Sequence, residues 1–325
     1  MIACSAPAET GSRTRAQLRD LGARYGVWLA LCLTLAVGVF GVPNFTTAAN
    51  ADAVLRQAAV LGVVALGQTY VVLTGGIDLS VGMLMGLVTV LGNGLMNGDE
   101  GMIVPVVLLA IVLGVTTGVL NGLGVVVARV DPLIVTLAML SILQGVIFIY
   151  TDRTVGSAAD AFRQLAYGSI GPIPAPAILL GTLTLISWVV LARTPLGRYI
   201  HAVGSDRPNA RRAGIPTGRI IVAAYVICSL LAAIAGLLLA ARLGSGYTGA
   251  GAGFELSSIV AVVLGGTALS GGRGGVMGTL AGVFLLAIIA NMLNLLGVSP
   301  FAQRVINGVI IIAAVAIYSA RRRDP

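Results

Sequence analysis

Residues 103–128 read Ile-Val-Pro-Val-Val-Leu-Leu-Ala-Ile-Val-Leu-Gly-Val-Thr-Thr-Gly-Val-Leu-Asn-Gly-Leu-Gly-Val-Val-Val-Ala, 26 positions without a charge. A helix rises about 1.5 Å per residue, so this stretch is long enough to cross the roughly 30 Å hydrocarbon core of a bilayer. A backbone in lipid must satisfy its own hydrogen bonds, which makes the element a helix and the fold class all-α. Working outward, comparable apolar stretches lie near 27–42, 54–74, 79–96, 132–151, 175–192, 219–241, 255–270, 276–297 and 302–320. The expected architecture is a polytopic membrane protein of about ten transmembrane helices. It comprises an N-terminal tail (1–26), one transmembrane domain (27–320) and a short C-terminal tail (321–325).

Composition agrees with that class. Of the 325 residues, 57% are hydrophobic and 10% charged, with a mean hydropathy of +0.99, whereas soluble domains carry about 25% charged residues. Many of the 44 glycines fall inside the apolar stretches, which fits close helix packing or broken helices. The first stretch follows an arginine-bearing leader, and Thr47-Ala-Ala-Asn-Ala51 faintly resembles a signal-peptidase site. The length of the leader and the apolar chain beyond it favour a retained span.

All 20 basic residues are arginine. Without lysine the chain has neither a P-loop of the G-x-x-x-x-G-K type nor a Schiff-base lysine, so any ATP that drives it is hydrolysed by another chain. With the N-terminus inside and ten spans, 15 arginines fall on the inner side and five (Arg56, Arg153, Arg163, Arg242, Arg304) on the outer. That bias places both termini in the cytoplasm and explains the net charge of +8 without nucleic acid. Cys4, Cys32 and Cys228 show no paired extracellular disulfide framework. His201 is the only histidine, which excludes His-based metal clusters and a Ser-His-Asp triad. No catalytic residue, metal or cofactor is expected. The acids cluster at span ends, which weakens a proton-coupled carrier.

Residues 193–219 form the long basic interruption and carry six arginines. Ser205 or Asp206 can cap a short helix, Pro208 fits its first turn, Gly214 can end it and Pro216 forbids continuation. Such a helix is too short to stand alone in water, so a cytoplasmic docking partner is expected.

Residues 73–86 place Gly75, Gly76 and Asp78 between two spans. Asp78 reads either as a cap for the following helix at a cytoplasmic turn or as a lock or gate on the break. Residues 269–282 align with this segment without gaps, 196 residues further on, with six of 14 positions identical, and bring in Gly271 and Gly272. An internal repeat would explain the match, with Val119-Leu-Asn-Gly122 and Val305-Ile-Asn-Gly308 continuing it, and so would glycine bias alone. Gln68, Asn121, Thr136, Gln144, Asn291, Asn294 and Asn307 are uncharged polar residues within spans. Together they suggest a path for a neutral, hydroxyl-rich solute; singly, each reads as interhelical glue.

Several segments in order, Thr74-Gly-Gly-Ile-Asp-Leu-Ser-Val-Gly82, Pro132-Leu-Ile-Val-Thr136, Thr194-Pro-Leu-Gly-Arg198 with Ala202-Val-Gly-Ser205 and Gly214-Ile215, and Asn294-Leu-Leu-Gly-Val-Ser-Pro300, make the chain resemble a family. That family is the permease of bacterial ATP-binding-cassette importers of the ribose and monosaccharide type, in the cytoplasmic (inner) membrane. The resemblance implies a paired pore made with a second permease copy, cytoplasmic ATPase subunits and an external sugar-binding protein. It also implies a coupling helix at 205–214, with Thr194, Gly197, Arg198, Ala202, Gly204, Ser205, Asp206, Arg207, Ala210 and Gly214 at the ATPase contact. Asp206, Asn209 and Asn307 depart from the expected pattern. Alternatives are a self-sufficient secondary carrier, or a permease for branched-chain amino acids, nucleosides or a sugar-derived signal.

Overall fold

The computed structural model describes residues 10–299 and, beyond them, 301–303, 305, 306, 308 and 309, with side chains from Gly26 onward. The chain is built of helices: α1 (Thr10–Gly41), α2 (Ala48–Leu73), α3 (Val81–Met96), α4 (Ile103–Val126), α5 (Pro132–Tyr150), α6 (Asp160–Tyr167), α7 (Ala175–Arg193), α8 (Pro195–Ser205), α9 (Arg207–Arg212), α10 (Thr217–Leu243), α11 (Phe254–Leu264) and α12 (Val276–Leu295). A two-stranded antiparallel hairpin, β1 (Ser169–Ile170) and β2 (Ile173–Pro174), sits between α6 and α7. Local signals fix the helix starts. The Thr47 side chain accepts from Asn50 N ahead of α2, and Asp131 accepts from Leu133 N with Pro132 in the first turn of α5.

Among the described residues, six helices are long and apolar enough to cross a membrane: α2, α4 with the 3-10 turn before it, α5, α7, α10 and α12. On the outward faces of α4, α5 and α7, Leu108, Ile134, Ile149 and Ile186 are exposed. Water would not tolerate that surface in a monomer of this size, and lipid does. The fold is an all-α membrane protein.

Helix α10 forms the axis, packed on α2, α3 and α4. Glycines at every fourth position of α4 let it approach. A methyl group built on Gly118 would lie 2.5 Å from Val226 Cα, and one on Gly122 would lie 2.8 Å from Val222 Cα. Gly114 faces Ser229 O in the same way at 3.0 Å. Helix backbones in lipid gain their contact through such small-residue stripes.

Four expectations need revision or extension. The stretch 255–270 is not one continuous helix, because α11 stops at Leu264 after 11 residues, a rise of about 16 Å. Gly265 ends it by packing its own backbone on that of Gly278, and residues 265–275 continue without regular structure. The helix therefore breaks inside the bundle, and its irregular continuation buries Thr267 and Gly271 while Gly266, Ser270, Arg273 and Gly274 are exposed. Helix α3 is short at 16 residues. The interruption at 193–219 holds two helices, α8 and α9, where one was expected. Helix α1 starts at Thr10, so the arginine-bearing part of the tail is helical from there. Most of the stretch 302–320 lies outside the described residues.

Replacing Gly118 with Leu should wedge α4 from α10 and cost about 1–3 kcal/mol, whereas Gly181→Leu, where nothing lies within 4 Å, should cost little. Thermal unfolding of the detergent-solubilised variants checks the pair, with a lower midpoint expected for Gly118→Leu alone.

Candidate functional site

Helix α8 is amphipathic, with one face on the bundle and one exposed. Thr194 accepts from Gly197 N at its start with Pro195 in the first turn, and Gly197, Ile200 and Val203 are buried at a spacing of three. Arg198, Tyr199 and Ser205 stay exposed, and Ala202 is half-buried. At its end α8 meets both glycine turns. Gly272 N donates to Leu73 O at 2.9 Å, and His201 Nδ1 lies 3.2 Å from Gly272 O. A methyl group on Gly204 would overlap Leu73 O, and one on Gly271 would lie 2.8 Å from Gly75 N and 2.9 Å from Gly204 Cα. Gly271 (φ +86) and Gly272 (φ +75) also hold a left-handed backbone. The two segments aligned by sequence, 73–86 and 269–282, thus meet through main-chain atoms at the tip of α8.

Helix α9 follows at once. The Asp206 side chain accepts from Asn209 N at 2.9 Å and from Asn209 Nδ2 at 2.7 Å, and Asn209 Oδ1 accepts from Arg212 Nη1 at 3.2 Å. Asp206 is therefore the cap. Ser205 Oγ instead donates back to His201 O. Asp206 and Asn209, two residues that depart from the expected family pattern, are bonded to each other. Ala210 is buried under α9, Arg207 is exposed and Gly214, at φ +80, ends the segment.

The turn after α2 is held from within the bundle. Asp78 is fully buried. Its Oδ1 accepts from Ser80 N at 2.9 Å and from Ser80 Oγ at 2.6 Å. Asn121 Nδ2 on α4 lies 3.4 and 3.5 Å from the two carboxylate oxygens and 2.9 Å from Ser80 Oγ. The Gln68 amide fits with its nitrogen donating to Asp78 O and its oxygen accepting from Asp78 N, at 3.2 and 3.1 Å. Tyr225 Oη and Thr136 Oγ1 reach Ile77 O at 3.3 and 3.4 Å. Asp78 thus turns the chain into α3 and ties α2, α4, α5 and α10 to that turn. It is an acid buried inside the bundle rather than one at a wet cytoplasmic turn.

Gln68, Asn121 and Thr136 gather at this turn. The other candidate path residues do not join them. Asn291 exchanges two hydrogen bonds with Asn50, at 3.1 and 2.7 Å, Asn294 Oδ1 accepts from Gln303 Nε2 at 2.7 Å, and Gln144 is exposed. Asn307 lies outside the described residues. No three of His, Cys, Asp and Glu among the described residues converge as a metal site.

The opposite end of the bundle carries α6 and the hairpin. Arg56 pairs with Asp52 and donates to Ala166 O and Gly168 O, while Val155 bridges Gly246. Next to it opens a cavity of about 560 Å3 between α2, the end of α10, the start of α11 and α12, lined in part by Gln57, Arg242, Phe254 and Ser257. None of the candidate path residues among the described residues lines it. Sequence reading missed these four, because only Arg242 stood out, and it counted merely as a charge at a span end.

The chain matches the family described as "Branched-chain amino acid transport system / permease component" over residues 50–315. It is 38% identical over 294 residues to the ribose import permease protein of Escherichia coli (strain K12), covering 89% of this chain and 91% of that one. To the ribose import permease protein of Bacillus subtilis (strain 168) it is 39% identical over 301 residues, covering 90% and 92%. The L-arabinose transport system permease protein of Escherichia coli (strain K12) is 34% identical over 301 residues, covering 90% and 89%. No solved structure matches the chain. The family model covers residues 50–315 of this membrane bundle, and the chain is a member of the branched-chain amino acid transport system permease family.

Proposed function

We propose that the chain is the transmembrane permease subunit of an ATP-driven importer of the ABC type, carrying a neutral, ribose-like monosaccharide across a bacterial inner membrane by alternating access. The observation that carries this reading is the main-chain junction between α8 and the turns at 73–76 and 269–274. A push on the exposed face of α8 and α9 reaches both helix breaks with no flexible side chain between. The partner on that face is a cytoplasmic ATPase subunit, with Arg198, Arg207, Asp206 and the α9 arginines at the contact. A second permease copy completes the pore, and an external binding protein delivers the sugar at the end that carries α6.

Charge supports this orientation. Arg129, Arg273 and the six arginines of 193–219 lie at the α8 end, and Arg56, Arg153, Arg163 and Arg242 at the other. The nine apolar helices or helix parts (α2, α4, α5, α7, α10 and α12, the Gly26–Gly41 part of α1, α3 and the broken α11), with 302–320, make up the ten spans, and both termini are then cytoplasmic. Gly75, Gly76, Gly271 and Gly272 form the gate region, and Asp78 with Gln68, Asn121 and Thr136 is its lock. Asn291, Asn294, Gln144 and Asn307 remain candidates for the path, Gln144 by its exposed face. The family's description favours a second reading, in which the solute is a branched-chain amino acid.

Proteoliposomes holding the chain with its ATPase and external binding protein should take up D-ribose only with ATP, and L-leucine not at all. Gly204→Val, which forces α8 off Leu73 O, should cut uptake at least about tenfold with insertion intact. Uptake down a gradient by the chain alone would point to a carrier instead. Leucine uptake in place of ribose would favour the second reading.

Replacing Asp78 with Leu strands the Ser80 and Asn121 donors without their acceptor, at about 1–3 kcal/mol each, whereas Asp78→Asn keeps one oxygen acceptor. Thermal unfolding in detergent should show a large fall in midpoint for Leu and a smaller one for Asn.

A further inference from the structure

The cavity beside α6 has the size and the lining of a small-molecule site. Its volume of about 560 Å3 lies within the range of about 300–1,000 Å3 usual for such pockets, which are mostly apolar with a few convergent polar groups. Here the polar groups are Gln57 from α2, Arg242 from the end of α10 and Ser257 from α11, set among Leu61, Val260 and Leu286. The recorded hydrogen bonds of Arg242 and Ser257 use main-chain atoms: Arg242 O accepts from Tyr167 Oη, and Ser257 N donates to Gly253 O. The Arg242 guanidinium, the Gln57 amide and the Ser257 hydroxyl make no hydrogen bond to another described residue.

We propose that Gln57, Arg242 and Ser257, with the ring of Phe254, form a recognition site for a neutral polyhydroxylated solute, so that the permease itself reads part of its cargo. This rests on the importer reading above and says where that reading's solute makes its polar contacts. A guanidinium offers five donors, and an amide and a hydroxyl each both donate and accept, a mixture that suits a ring of hydroxyl groups. The Phe254 ring suits the apolar C–H face of a sugar. An amino-acid zwitterion fits less well, because among the described lining residues there is no Asp or Glu to accept its ammonium.

The site also has a mechanical link to α8. Phe254 and Ser257 lie in the first turn and a half of α11. The glycine segment that follows α11 ends at Gly271 and Gly272, against Gly204. A solute seated in the cavity touches the broken helix whose far end is fastened to the docking helix.

The test uses the assembled transporter in proteoliposomes, with Gln57→Leu, Arg242→Gln and Ser257→Ala. D-ribose uptake should fall about tenfold for Arg242→Gln and Gln57→Leu and less for Ser257→Ala. Membrane insertion and the thermal unfolding midpoint in detergent should match those of the unsubstituted chain, which separates solute contact from misfolding. In a background with Cys4 and Cys32 replaced by serine, alkylation of Ser257→Cys should slow about threefold under saturating D-ribose and not under L-leucine. Unchanged uptake in all three variants, or alkylation indifferent to D-ribose, overturns the cavity site while leaving the importer reading intact. A complex with unsubstituted permease that takes up no ribose overturns the importer reading, and the site with it.

Discussion

The structure turns on one close approach, the main chain of α8 against the main chain of two other turns. Leu73 O accepts from Gly272 N, and Gly204 leaves no room for a side chain between them. Only residues without a Cβ allow backbones so near, and in lipid that nearness supplies dispersion contact and satisfied polar groups that water would otherwise supply. The contact is stiff because it has no rotatable side chain to absorb a displacement. It therefore joins an exposed helix to two breaks in the membrane bundle as one body.

The rest of the bundle gives that body a frame to move against. Helices α4 and α10 are fastened along the stripe of Gly114, Gly118 and Gly122. The Asp78 cluster holds the turn between α2 and α3 from four helices at once. A carboxylate buried among neutral donors is costly unless its oxygens are bonded, and Ser80 and, at longer range, Asn121 supply those bonds. The broken α11 is the other side of the same design. Its irregular continuation buries Thr267 and Gly271 and exposes Gly266, Ser270, Arg273 and Gly274, and it runs between the cavity beside α6 and the α8 junction.

Much of this was legible in sequence, and the reasons for success and failure differ. Apolar length with no charge inside it marks a span whatever its neighbours do, so 103–128 and 219–241, whose single charge Arg219 stands at its edge, were read correctly as helices. The cap of α9 was local as well, and Asp206 with Pro208 and Gly214 pointed to it. The end of α11 was not visible, because Val263, Leu264 and Leu269 keep 255–270 apolar and the stop comes from Gly265 meeting Gly278, a contact between segments. Helix α8 was missed because its stability comes from burying Ile200 and Val203 on the bundle rather than from the basic, loop-like composition around it. The polar residues of the spans were legible as a set and not as a place. Which amide meets Asp78, as Asn121 does, and which meets another amide, as Asn291 does with Asn50, depends on packing alone. The cavity drew its polar heads from three separate elements, so no spacing in the sequence announced it.

The central claim, that α8 and the glycine turn move together, is tested by spin-label distances in the assembled transporter. Labels at Arg198 and Arg273, both exposed, report the separation of α8 from the 269–274 turn, and a label at Arg198 in each copy of the proposed pair reports the separation of the two α8 helices. Pulsed electron paramagnetic resonance with and without ATP should show the second distance shifting while the first stays constant. A first distance that changes with nucleotide, while the docking helices keep theirs, would contradict the account.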